Sequence, residues 1–209
     1  MRASGCLNKI EASVRDSIYV VVSAGTEGCV DELASLSVDC GRLGLSLLLW
    51  HMSGLDKVCG HSLKVRAMQE SLGHAGLPCV WIDSSDDLLK APDLTVSQFS
   101  GADVAVADNP GPETGRKSPK LASFFAVSRE SDGSRRFLEQ CLRYAEAQAA
   151  ASSRPNSHAH DPMYRAYRQL TDERARLRRC VFLNATQSFR GCVRLNPSAV
   201  SSREVSVVS

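Results

Sequence analysis

Three short apolar runs, separated by stretches of helical periodicity, constrain this chain more than any other feature. Ile18 to Val22 (IYVVV) is β-branched and nearly continuous, and it ends in Ser23-Ala24-Gly25, so it reads as a buried strand feeding a turn. Leu33, Leu36 and Cys40 then recur at helical spacing before Gly41 and Gly44. Leu45 to Trp50 (LSLLLW) is a second strand. A helix over about Ser62 to Leu72 follows, and Pro78 to Ile82 (PCVWI) is a third strand. Strands that alternate with helices over short connections, and that carry no polar face, predict a parallel sheet covered on both sides.

The pattern then changes. Ala102 to Ala107 and Leu121 to Val127 are strands with a loop between them and no helix, which predicts an antiparallel excursion in a mixed sheet. Phe137 to Ala151 and Pro162 to Leu170 read as helices, the latter with proline in its first turn, and Val181 to Leu183 as a last strand. No repeat or linker divides the 209 residues, so a single domain over 1–209 is expected. Its core would span about 17–185, with the serine-rich stretch 186–209 peripheral.

Composition excludes several classes. An apolar share of 43% supports a real core, and a net charge of +2 points to neither nucleic acid nor an anionic membrane. The longest apolar run is strand-sized, so no membrane span is expected. The first sixteen residues hold no apolar signal core, which makes the cytoplasm the expected location. The eight cysteines include no C-x-x-C pair and several sit inside apolar segments, so reduced, core-filling thiols are expected. The histidines lack the helical spacing of a zinc pair. Neither a P-loop nor a G-x-G-x-x-G occurs.

In open parallel sheets ligands bind beyond the carboxyl ends of strands. The loops expected there are Ser23 to Thr26, His51 to His61 and Asp83 to Asp87. The last places Asp83, Asp86 and Asp87 within five residues, directly after a buried strand. Such carboxylates repel one another unless donors or a cation offset them, and hard divalent ions prefer such oxygens. The alternative is a helix start, with Ser84 or Ser85 as cap and Asp86 and Asp87 favoured by the helix dipole.

The segment Val80-Trp81-Ile82-Asp83-Ser84-Ser85-Asp86, followed by Leu88, Leu89 and Pro92-Asp93-Leu94, resembles the strand, DxD motif and turn of GT-A fold nucleotide-diphospho-sugar glycosyltransferases. Tyr19 to Thr26 is similar to that family's first nucleotide-binding strand and turn, and Ala102 to Val106 to its next strand. Lys64 falls where many relatives carry a lysine one helix before the acidic motif. Asp161, at a helix start, resembles the second acidic site.

The resemblance implies a GT-A-like doubly wound mixed sheet, mostly parallel, with helices on both faces. It implies a transferase, hexosyltransferase-like, that moves a sugar from a nucleoside diphosphate sugar to an unknown acceptor. Ser23, Ala24, Gly25, Thr26, Lys64, Asp83, Ser84 and Ser85 would hold the nucleotide sugar. Asp83 and Asp86 would hold Mn²⁺ or Mg²⁺, and Asp161 would act as base or acceptor partner. Two positions depart from the family pattern: Ser85 stands at the second acid of the motif, and Pro162 follows Asp161 in place of glutamine. Those departures also fit a catalytically degenerate module that binds a nucleotide or a protein. A nucleotidyltransferase on a similar sheet would need a glycine-rich, lysine-containing first loop, which this chain lacks.

Overall fold

A computed structural model describes residues 6–13, 15–53, 60–108, 121–128, 131–151, 162–171 and 180–194. The elements, in chain order, are β1 (Cys6–Ser13), β2 (Val20–Gly25), a 3-10 turn (Glu27–Cys29), α1 (Val30–Leu43), β3 (Ser46–Ser53) and α2 (Gly60–Ala75). Then come β4 (Cys79–Trp81), β5 (Asp87–Leu88), α3 (Val96–Gly101), β6 (Val104–Asp108) and β7 (Leu121–Val127). The last are α4 (Asp132–Ala151), α5 (Pro162–Thr171), β8 (Phe182–Asn184), α6 (Thr186–Phe189) and β9 (Val193–Arg194).

Seven strands form one sheet in the order β1-β3-β2-β4-β7-β6-β8, and β5 pairs with β9 separately. β2 lies parallel to β3 and to β4, and β6 parallel to β8. β7 runs against both β4 and β6, and β1 against β3. The sheet is therefore mixed but mostly parallel, with helices on both faces, and this is consistent with the GT-A-like class expected. The antiparallel excursion is β7, which needs no crossover helix because it runs back beside β6.

Each central strand is buried on both sides, which is why its sequence is almost wholly apolar. Val20, Val22 and Ala24 face one core with Leu48, Trp50 and Met52, closed by Leu63, Val65 and Met68 of α2, Phe137 and Leu138 of α4, and Met163 of α5. Tyr19 and Val21 face the other with Leu47 and Leu49, closed by Leu33, Leu36 and Cys40 of α1. α1 ends where Gly44 adopts φ +68°, and the Leu45 amide donates to the Cys40 carbonyl at 2.9 Å, a glycine-dependent helix stop.

The winding reverses within these elements. α1, on one face, carries the chain from β2 to β3; α2, on the other, carries it back past β2 to β4. Right-handed crossovers in opposite directions fall on opposite faces, and the reversal opens a crevice at the carboxyl edge.

At the amino edge a polar cluster is spent on structure. The Asp103 carboxylate accepts the Val181 amide at 2.7 Å and packs against Gly133, while Ser128 and Ser134 donate to the Asp103 carbonyl at 3.1 and 2.8 Å.

The structure extends beyond the core expected at 17–185. β1 adds an edge strand, and residues 186–194, expected to be peripheral, supply buried Phe189 and Cys192 and the strand β9. Cys29, Cys40, Cys79, Cys141, Cys180 and Cys192 all carry thiols and not disulfides. Among the described residues no helix is long and apolar enough to cross a membrane.

Candidate functional site

β2 ends at Gly25 and β4 at Trp81, and the two strands are hydrogen-bonded neighbours with Val22 opposite Trp81. The Ile82 amide continues that ladder to the Val22 carbonyl at 3.1 Å. The turn after Gly25 and the acidic loop after Ile82 therefore leave the sheet side by side. α2 begins after β3 at the same edge, which brings Lys64, in its second turn, over the end of β4.

Trp81 and Asp83 are two residues apart and so point to the same side of the strand. The Trp81 indole Nε1 donates to Asp83 Oδ1 at 2.7 Å. Lys64 Nζ lies 3.7 Å from the same oxygen and 5.1 Å from the centre of the Trp81 ring. Lys64 is only 7% exposed, and the Asp83 side chain is 18% exposed. The aliphatic stem lies in the apolar layer between α2 and the sheet, and the ammonium is held where a carboxylate, an indole N–H and an aromatic face meet. A charge so enclosed persists because it is paired.

The acidic loop is a turn, not the helix start that was the alternative. The Asp86 amide donates to the Asp83 carbonyl at 3.1 Å, and the chain passes directly into β5. Ser84 Oγ donates to Glu32 Oε2 of α1 at 3.2 Å. Just beyond, the Leu88 amide donates to Asp39 Oδ2 at 3.1 Å, and Arg42 donates to the Leu88 carbonyl at 2.7 Å while pairing with Asp39. Tyr19 fixes the next turn through its hydroxyl, which donates to the Pro92 carbonyl at 3.0 Å. α1 thus holds the loop on one side and Lys64 of α2 holds it on the other. Asp86 is buried at 8% exposure, and Ser85 is half-buried.

The first turn is set by close packing. A Cβ on Gly25 would meet the Cys29 Cβ at 2.6 Å and Leu33 Cδ1 at 3.2 Å, so glycine lets the 3-10 turn fold back onto the end of β2. Thr26 is extended, at φ −101° and ψ −178°, and half-buried. Ala24 is buried against the α2 core. The Ser23 hydroxyl is fully enclosed within β2 and makes no hydrogen bond to the described residues, so only its backbone lies on the ladder.

Of the residues expected at the site, the structure brings Lys64 and Asp83 into contact, and sets Ser84, Ser85 and Asp86 in the adjoining turn. It places Gly25 and Thr26 at the neighbouring strand end. Asp161 lies outside the described residues. Arg165 stacks on Tyr144 at 4.4 Å. The part played by Trp81 was not anticipated, although its spacing two residues before Asp83 on one strand carries the signal.

A Mn²⁺ or Mg²⁺ on Asp83 and Asp86 would have to share Asp83 with a resident ammonium. Asp83 Oδ1 already accepts the indole and faces an ammonium. An ion at an ordinary ligand distance from that oxygen would lie within about 6 Å of Nζ. Repulsion between a divalent ion and a unit charge at about 4–6 Å is about 5–8 kcal/mol at an effective dielectric constant of about 20, which offsets part of the attraction of the carboxylates. Among the described residues, no group of three or more His, Cys, Asp or Glu side chains could hold a metal.

No protein-family model and no curated protein matches the chain. Among solved structures it is similar to a glycosyltransferase involved in the glycosylation of the major capsid of PBCV-1, with a TM-score of 0.45 and 10% identity, over 83% of this chain and 88% of that one. It is also similar to A197 from STIV, with a TM-score of 0.41 and 11% identity, over 81% and 83% of the two chains.

Proposed function

We propose that this protein is a glycosyltransferase that moves a sugar from a nucleoside diphosphate sugar to an acceptor. One observation carries the reading. A buried lysine from α2 and an aspartate from the end of β4 meet at 3.7 Å at the edge where the winding of the sheet reverses. A cation and a hydroxyl-accepting carboxylate are the two groups a nucleoside diphosphate needs, one for phosphate oxygens and one for ribose.

In this reading Asp83 accepts a ribose hydroxyl through its outer oxygen, while Trp81 keeps the carboxylate from rotating. The Ser84 and Ser85 hydroxyls and the backbone of Gly25 and Thr26 line the nucleotide. Negative charge grows on the departing diphosphate in the transition state. A cation fixed beforehand stabilises that charge without reorganising, which is the main electrostatic task of such a site. Lys64 has that position. Asp161, the residue before Pro162 in the sequence, would serve the acceptor as base or hydrogen-bond partner.

The test is turnover with water or simple sugars as acceptor. Purified protein is incubated with a panel of UDP-, GDP-, ADP- and CDP-sugars, and released nucleoside diphosphate is measured. The expected result is release from one donor class, reduced about 100-fold or more in Asp83→Asn, in line with loss of an interaction to a charged group. Release from none, or equal release by the variant, overturns the reading.

A further inference from the structure

We propose that Lys64 takes the place of the divalent ion at this site, so that the nucleoside diphosphate binds through a resident ammonium and without metal. This rests on the nucleotide-binding reading above and specifies how the diphosphate is held. Lys64 is not a surface lysine that happens to lie near a loop. Its side chain is 9% exposed, and its neighbours Leu63 and Val65 belong to the core on that side of the sheet. Its ammonium is fixed over the Trp81 ring and against Asp83 Oδ1. The same oxygen accepts the Trp81 indole at 2.7 Å, so the oxygen expected to lead a metal site already has a donor and is paired with the ammonium. Ser85, where the family motif has its second acid, removes a ligand from the same cluster. An enclosed cation beside Asp83 and a serine in place of an acidic ligand point the same way: the positive charge that a diphosphate requires is built into the chain.

The surrounding carboxylates make the substitution testable through metal as well as nucleotide. Asp83 and Asp86 share one turn, and Glu32 reaches it through Ser84. Removing the ammonium would take one positive charge from beside that group of acids, and a divalent ion would then meet less repulsion there. A lysine that stands in for a metal therefore suppresses metal binding in the native protein, and its loss raises it.

The experiment uses the full chain, stripped with EDTA. UDP, GDP and ADP are each titrated by calorimetry with and without Mn²⁺, and Mn²⁺ alone is titrated by its electron paramagnetic resonance signal. Lys64→Met and Lys64→Arg are compared with the native protein, with circular dichroism as the check on folding. One diphosphate is expected to bind with equal affinity in EDTA and in Mn²⁺, to weaken about tenfold or more in Lys64→Met, and to be largely retained in Lys64→Arg. Mn²⁺ uptake is expected to rise about tenfold or more in Lys64→Met over native protein. Should Lys64→Met fail to fold, the native metal comparison and Lys64→Arg still decide. Nucleotide binding that requires Mn²⁺ in the native protein overturns this inference and leaves the glycosyltransferase reading standing. Binding of no diphosphate under either condition overturns that reading, and this inference with it.

Discussion

Gly25 offers a stringent test of how the nucleotide turn is built, because its neighbour Gly28 provides a built-in comparison. In Gly25→Ala the new methyl would sit 2.6 Å from the Cys29 Cβ and 3.2 Å from Leu33 Cδ1, where real Cβ contacts essentially never fall under 3.0 Å. Restoring an ordinary carbon–carbon separation of about 3.6 Å requires the 3-10 turn and the start of α1 to retreat by about 1 Å. Overpacking of that kind costs about 1–3 kcal/mol, and in a chain of this length each kcal/mol lowers the Tm by about 2–4 °C. A fall of about 2–12 °C follows. A Cβ on Gly28 meets nothing within 4 Å. Gly28→Ala should therefore be neutral, or stabilising by up to about 1 kcal/mol through the unfolded chain. Thermal unfolding followed by circular dichroism compares the two variants directly. The retreat of the turn should also weaken nucleotide binding in Gly25→Ala alone. Equal melting temperatures for both variants would refute the packing described for the end of β2.

Two further outcomes follow from the same geometry. Trp81→Phe keeps the ring over β4 but removes the donor to Asp83 Oδ1, and it should weaken nucleotide affinity about 10- to 100-fold, as expected for one hydrogen bond to a charged group; unchanged affinity would show that the indole does not position Asp83. Burial pushes the Cys79 thiol from 9.0 up to about 12, and burial likewise raises the Tyr19 hydroxyl and, with help from Asp103, the Cys180 thiol. These groups stay protonated in the folded chain after the unfolded chain has lost its protons. The stability they confer is complete below pH 9.0 and is lost as pH rises towards about 12. Urea midpoints should fall over that window, less steeply in Cys79→Ala, and a flat alkaline limb would contradict the burial of these groups.

Much of the frame was legible because period and burial agree in the central strands. The runs at β2, β3 and β4 are apolar without alternation because helices cover both faces, and the lack of a helix before Leu121 marked β7 as antiparallel. β1 escaped notice for the opposite reason. It is an edge strand whose Asn8, Lys9 and Ile10 are exposed and whose pairing is broken by a bulge between Lys9 and Glu11, so its sequence has no clean period. β5 and β9 are two residues each and exist only because distant segments meet. Phe189 and Cys192 sit in a polar stretch whose burial no local pattern announces. α3 did carry a signal: Thr95 and Gln98 form a capping box, with the Gln98 amide donating to Thr95 Oγ1 at 3.3 Å. At the site, Asp83 could be picked out by its place after a strand. The enclosure of Lys64 could not, because Trp81, which covers it, belongs to a different element, and only the crossover of α2 brings them together.

Hydrogen–deuterium exchange on the native protein, with and without saturating nucleoside diphosphate sugars of each base, tests the placement of the site most directly. One donor is expected to slow exchange in three segments together: the turn after β2 around Gly25 and Thr26, the start of α2 around Lys64, and the acidic turn from Asp83 to Asp86. Protection confined to other segments, or no protection by any donor, would contradict a nucleotide site at the carboxyl edge of the sheet.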